Sequence, residues 1–181
     1  MSSRTAPSDD DRANGATARL FVALWPDASL RAQLAGFRAA WQWPAGVRPV
    51  AGENLHVTLH FIGSFARERI GALVRRLGSI ATPALDLRAD GVAIWRGGIA
   101  VLLLRGDAAT TALHADIGSA VREFGIAPDP RPFAPHVTLA RRATGAQPPG
   151  DADLEWRASG FVLAESRPGP PADYRVLADF A

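Results

Sequence analysis

At 181 residues and 19.2 kDa, with 48 % hydrophobic residues, the chain has the size and apolar content of one globular domain. It contains no Cys and no Lys, all 20 basic residues being Arg; this excludes disulfide frameworks, thiolate metal centres and nucleophiles, Schiff bases, P-loop lysines and lysyl-nucleotide intermediates. The formal net charge is only +2, so the sequence pI near 10.3 reflects how few groups titrate between His and Arg and does not signal a polybasic grip on nucleic acid.

Residues 1–18 are polar, carry an acidic triplet at Asp9 to Asp11 and lack an apolar segment, so a disordered tail is expected there and a single domain over 19–181. No stretch has the pattern of a secretory signal or the length of a membrane span, and a cytoplasmic protein without membrane contact is the expectation. RLFVALW at 19–25 reads as a buried strand, and Pro26-Asp27 opens a helix to about Trp41. LHVTLHFIG at 55–63 alternates like a strand and is followed by a helix over 67–80. LDLRADGVAIWRGG and IAVLLLRG read as two strands joined at Gly97-Gly98, and Asp107 caps a helix to about Phe124. HVTLAR at 136–141, GFVLAES at 160–166 and DYRVLADF at 173–180 complete the strands. This order suits antiparallel pairing with helices outside, an α+β fold, better than a doubly wound parallel sheet.

The tetrapeptide HVTL occurs twice, at His56 to Leu59 and His136 to Leu139, 80 residues apart. Composition alone gives two chosen His a Thr at the second following position in roughly 1 case in 500. On a strand, residues two apart share a face, so His56 and Thr58 would point one way and Val57 and Leu59 into the core, with His136, Thr138, Val137 and Leu139 repeating the arrangement. Side by side, the two strands would offer two imidazoles and two hydroxyls to one cleft. Such a set suits phosphodiester chemistry without a metal or cofactor: one imidazole takes a proton from water, the other gives one to the leaving oxygen, and hydroxyls bind the non-bridging oxygens. Arg141 is the nearest guanidinium. Strict alternation places it on the face opposite His136, so a phosphate role requires the strand to end or bulge, or the side chain to wrap around.

These residues resemble the two-histidine phosphoesterases, and within them the bacterial RNA 2′,3′-cyclic phosphodiesterases once called 2′-5′ RNA ligases. The resemblance runs through RLFVAL at 19–24, RPVAGENLHVTLHFIG at 48–63, FAPHVTLARR at 133–142, FVLAES and the terminal YRVL. It implies a bilobal fold of two pseudo-twofold-related antiparallel sheets flanked by helices around a central cleft. It also implies hydrolysis of a 2′,3′-cyclic phosphate at an RNA end or nucleotide to a 2′-phosphomonoester by a monomer. His56 would be proton donor to the leaving 3′ oxygen and His136 the base on water; Thr58, Thr138 and Arg141 would bind phosphate. Any 2′-5′ ligation would be the reverse of hydrolysis. The alternatives are a 2′-5′ or small-molecule cyclic phosphodiesterase, or a protein that binds RNA ends without turnover.

Plainer readings apply elsewhere. His60 shares the His56 face by alternation but reads as an ordinary polar strand position, and His114 as a surface residue of its helix. A metal site from His56, His60 and Glu53 is excluded because residues four apart on a strand stand about 13 Å apart. Phe61, Trp95, Phe133, Trp25 and Trp43 could stack on bases, but core or rim packing is the default, with Phe133 foremost because it precedes His136 in the loop.

Overall fold

The computed structural model describes residues 16–167, 169 and 173–181; the expected tail lies outside the described residues up to residue 15. Nine strands, β1 (Thr17–Leu24), β2 (Arg48–Pro49), β3 (Val57–Ala66), β4 (Leu85–Trp95), β5 (Ile99–Gly106), β6 (His136–Arg141), β7 (Glu155–Ala158), β8 (Phe161–Arg167) and β9 (Asp173–Phe180), alternate with three helices, α1 (Ala28–Ala39), α2 (Ile70–Leu77) and α3 (Ala108–Arg122). All pairings are antiparallel, in the order β7-β4-β5-β6-β3-β1-β8-β9, with β2 lying beside β6.

The two expected sheets are therefore halves of one continuous sheet. β1, β3, β8 and β9 form one lobe and β4 to β7 the other. The motif strands meet at a single residue pair, Val57 opposite Val137, the valines of the two HVTL copies. One sheet face carries the main core: Leu20, Val22, Leu24, Val57, Leu59, Leu102, Val137 and Leu139 are buried together with Leu34 of α1, Leu73 of α2 and Leu113 and Ile117 of α3. The opposite face carries a smaller apolar group, Phe21, Ala23, Val162 and Ala164, flanked by Trp25 and Tyr174. This second face is the one the resemblance expects to line the cleft.

Local chemistry sets the boundaries. Asp27 and Asp107 cap α1 and α3 by accepting the Leu30 and Thr110 N–H, both at 2.8 Å, an arrangement worth about 1 kcal/mol each. Gly97 and Gly98 sit at φ 84° and 72° in the β4–β5 turn, a left-handed conformation that glycine adopts without a Cβ penalty. The helix expected over 67–80 starts as a 3₁₀ turn at Arg67–Arg69 and is regular only to Leu77. β2 and β7 went unread because each is too short for an alternation pattern.

Candidate active site

His56 and His136 immediately precede the paired valines, so the seam between the lobes brings both imidazoles to the cleft face. Each ring is held the same way. Nδ1–H of His56 donates to the Asn54 carbonyl at 2.7 Å, and Nδ1–H of His136 donates to the Ala134 carbonyl at 2.8 Å. A carbonyl can only accept, so this fixes the tautomer and leaves Nε2 as the working nitrogen of each ring. His56 Nε2 accepts from the Thr58 hydroxyl at 3.1 Å. Thr138 occupies the equivalent place on β6, half-buried like Thr58.

The surroundings of the two rings differ. Trp25 lies parallel to His56 at 5.3 Å and 9°, with Phe21 at 5.0 Å and the Tyr174 edge at 5.4 Å. His136 meets one ring, Trp95, at 4.4 Å. Burial pushes the His56 imidazole down to about 4, and the nearness of His136 adds to the shift. Burial also lowers His136, with the Arg131 charge a smaller contribution. Both rings are thus neutral at pH 7 in the free protein.

Beyond the threonines the strands bulge. In β3, Ala23 of β1 faces Thr58 and Val22 faces His60, so Leu59 is skipped. In β6, Val101 of β5 faces Thr138 and Ala100 faces Ala140, so Leu139 is skipped. An extra residue reverses the facing of everything that follows. Two consequences correct the alternation argument. His60 turns away from the cleft into the core, 4 % exposed, where its Nε2–H donates to the His114 carbonyl at 2.7 Å. Phe61, opposite Phe21, returns to the cleft face with 69 % of its surface exposed. By the same shift Arg141 returns to the face of His136 and Thr138, which removes the alternation objection to it. Arg142 then adopts φ 56°, a left-handed conformation that ends the strand.

A family model described as LigT-like phosphoesterase matches residues 24–101. An RNA 2′,3′-cyclic phosphodiesterase of Escherichia coli is 36 % identical over 152 residues, covering 82 % of this chain and 86 % of that protein. The chain belongs to the LigT-like phosphoesterases. A Thermus thermophilus protein named RNA 2′,3′-cyclic phosphodiesterase is 31 % identical over 177 residues, covering 90 % of this chain and 89 % of its own length. The crystal structure of Escherichia coli LigT complexed with 3′-AMP superposes with a TM-score of 0.80 at 30 % identity, covering 91 % of this chain and 98 % of that one.

In this LigT-like phosphoesterase the structure brings four of the five expected site residues, His56, Thr58, His136 and Thr138, to the seam, and Arg141 to the end of β6 on the same face. Two further residues join them. Phe61, expected to pack as a core or rim residue, instead exposes its ring on the cleft face. Arg48 escaped notice; it lies directly opposite Arg141 in the β2–β6 pair, and cross-strand partners share a face. Like charges so placed repel, and among the described residues neither guanidinium has a carboxylate partner, so this edge favours an anion. Phe133 stacks on His114 instead of facing the cleft, and His114 is half-buried beneath it, a correction to its expected surface position. Trp43 stacks on Trp41 at 4.8 Å.

Among the described residues no helix is long and apolar enough to cross a membrane, and no three His, Asp or Glu side chains converge as metal ligands would.

Proposed function

We propose that the chain is an RNA 2′,3′-cyclic phosphodiesterase that hydrolyses the terminal cyclic phosphate to a 2′-phosphomonoester, using His56 and His136 as a proton-transfer pair. The observation that carries this reading is the matched anchoring of the two imidazoles, each with Nδ1–H on a backbone carbonyl and Nε2 directed to the shared cleft. In this reading His136 Nε2 accepts a proton from the attacking water as the new P–O bond forms. The bond from phosphorus to O3′ breaks, and His56 Nε2–H donates its proton to O3′. The product carries a 2′-phosphate and a free 3′ hydroxyl, and the two rings exchange protons with solvent before the next turnover.

His56 is neutral in the free protein, so its proton must be acquired with the substrate. A bound phosphodiester anion supplies the reason, because a nearby negative charge favours the imidazolium. Thr58, Thr138 and Arg141 take the non-bridging oxygens, whose charge grows in the transition state. Phe61 offers its face to the base of the terminal nucleotide, and Arg48 extends the cationic edge toward a neighbouring phosphate. Every group comes from one chain, and the enzyme acts as a monomer.

The test is turnover of an oligonucleotide ending in a 2′,3′-cyclic phosphate, in excess EDTA, with analysis of which oxygen retains phosphate. A 2′-phosphate formed by the wild type and lost in His56→Ala and His136→Ala is expected. Activity abolished by EDTA, or surviving both substitutions, overturns the mechanism. Equal rates on a cyclic mononucleotide would move the substrate assignment to a small cyclic phosphate.

A further inference from the structure

We propose that His60, His114 and Phe133 act as a positioning unit, a column of rings that couples the two motif strands and sets the placement of His136. Its catalytic consequence rests on the acid–base reading above; the coupling itself is observable without turnover. The rings come from three elements: His60 from β3 just past its bulge, His114 from the middle of α3, and Phe133 from the loop before β6. His60 stacks on His114 at 4.1 Å and 22°, and His114 on Phe133 at 4.0 Å and 14°.

The column is pinned at both ends. At the first, His60 Nε2–H donates to the His114 carbonyl at 2.7 Å, which ties the strand just past the bulge to α3. Gly118, one turn after His114, admits the His60 ring: a Cβ there would stand 3.1 Å from His60 Cε1. At the second end Phe133 leads directly to Ala134, whose carbonyl receives His136 Nδ1–H, and to Pro135, whose carbonyl accepts the Leu104 N–H at 2.9 Å.

Simple filling of this space needs no imidazole. An aliphatic side chain at position 60 would pack as well but could not bond the His114 carbonyl, the contact that ties β3 past its bulge to α3. Burial keeps both rings neutral, His114 down to about 4 and His60 below its ordinary value with Arg122 adding to the shift, so they stack without charge repulsion. The bulge that turns His60 inward thus also reaches, through two ring contacts, the carbonyl that orients His136. Proton transfer is steep in distance and angle, so small displacements of that carbonyl carry large effects.

The experiment follows the His136 imidazole by NMR titration in the substrate-free protein, alongside steady-state kinetics on the cyclic-phosphate oligonucleotide. Phe133→Leu is expected to move the His136 midpoint by about half a pH unit and to lower kcat about tenfold, with KM within about twofold. His114→Ala, which removes the middle ring, should do more, and His114→Phe, which keeps a ring between His60 and Phe133, should recover part of the loss. Variants that lower Tm while leaving the His136 titration and kcat at wild-type values overturn the proposal in favour of packing alone. If His114→Ala does not fold, Phe133→Leu decides on the same readouts. A midpoint that moves in a protein without cyclic-phosphate turnover supports the coupling and sinks the functional reading. An unmoved midpoint in an active enzyme does the reverse.

Discussion

β3 and β6 begin alike and end differently. Both start from a His whose Nδ1–H is held by the carbonyl two residues upstream, continue through a core valine and a cleft-facing threonine, and bulge at the following leucine. Past the bulge β3 has His60 and Phe61, whereas β6 has Ala140 and Arg141. The buried position is a polar ring tied to α3 in one strand and a methyl group in the other. The cleft position is an aromatic face in one and a cation in the other. The environments of the two imidazoles diverge in parallel, with three aromatic rings around His56 and one beside His136. A nearly symmetric backbone can therefore suit a substrate that has no symmetry; in the proposed reading the nucleobase lies on the β3 lobe and the phosphate edge on the β6 lobe.

Substitution at the shared positions should produce the largest effects. His56→Ala and His136→Ala are each expected to reduce kcat by about 10³-fold, within the range for one acid–base group, measured by single turnover on a cyclic-phosphate oligonucleotide. Retention of more than a tenth of wild-type kcat in either variant would break the pairing. The next effects separate the lobes. Arg141→Ala should cost about 10²-fold in kcat, and Arg141→Lys should recover only part because a point charge replaces a planar fork. Phe61→Ala should act mainly on KM, by about tenfold, since one stacked base contributes ~1–3 kcal/mol. If Phe61→Ala lowers kcat as much as Arg141→Ala, the division of labour between the lobes is wrong.

The pH dependence sharpens the comparison further. The proposed mechanism needs one proton on the pair, and in the free protein burial holds His56 near 4 and His136 below its ordinary value. The profile of kcat/KM should therefore peak below pH 6.5 and fall as pH rises, while kcat, reporting the complex with an anionic phosphate, should peak at higher pH. Coincident optima for the two parameters would show that substrate does not raise the His56 value. The smallest effect is on stability. His60 and His114 are neutral in the fold, yet in the unfolded chain they charge as pH drops below about 6.5. Their stabilisation is complete above that pH and is withdrawn as pH falls toward 4. A His60→Ala, His114→Ala double variant should flatten the decline of Tm between pH 6.5 and 4.5 by a few degrees, measured by calorimetry.

The proposed proton-transfer pair was legible because the motif repeats: two copies of HVTL give strand register, facing and residue type at once. Strand boundaries followed from alternation, and helix starts from Asp27 and Asp107. What stayed hidden depends on irregularity. A bulge adds one residue without a distinctive composition, so strict alternation put His60 in the cleft and Arg141 outside it, the reverse of the structure for both. Gly118 inside a helix was a signal that something approaches that backbone closely, but it does not name the partner, His60, 58 residues away. Arg48 was invisible for another reason. Its meaning comes from lying opposite Arg141 across two strands, and a two-residue strand leaves no pattern to read.

The single Val57–Val137 pair that joins the motif strands has an implication for how this scaffold tolerates change. Each histidine is one residue from that pair, so the separation of the two working nitrogens is set within a few bonds of the junction. The outermost strands, β7 on one side and β9 on the other, each lie three places from the nearer motif strand in the sheet order. Insertions, truncations or redesigned loops at those margins can reshape what the cleft admits while the acid–base spacing stays as it is. Volume changes at either valine cannot be absorbed in the same way, because no second pair between these strands shares the strain.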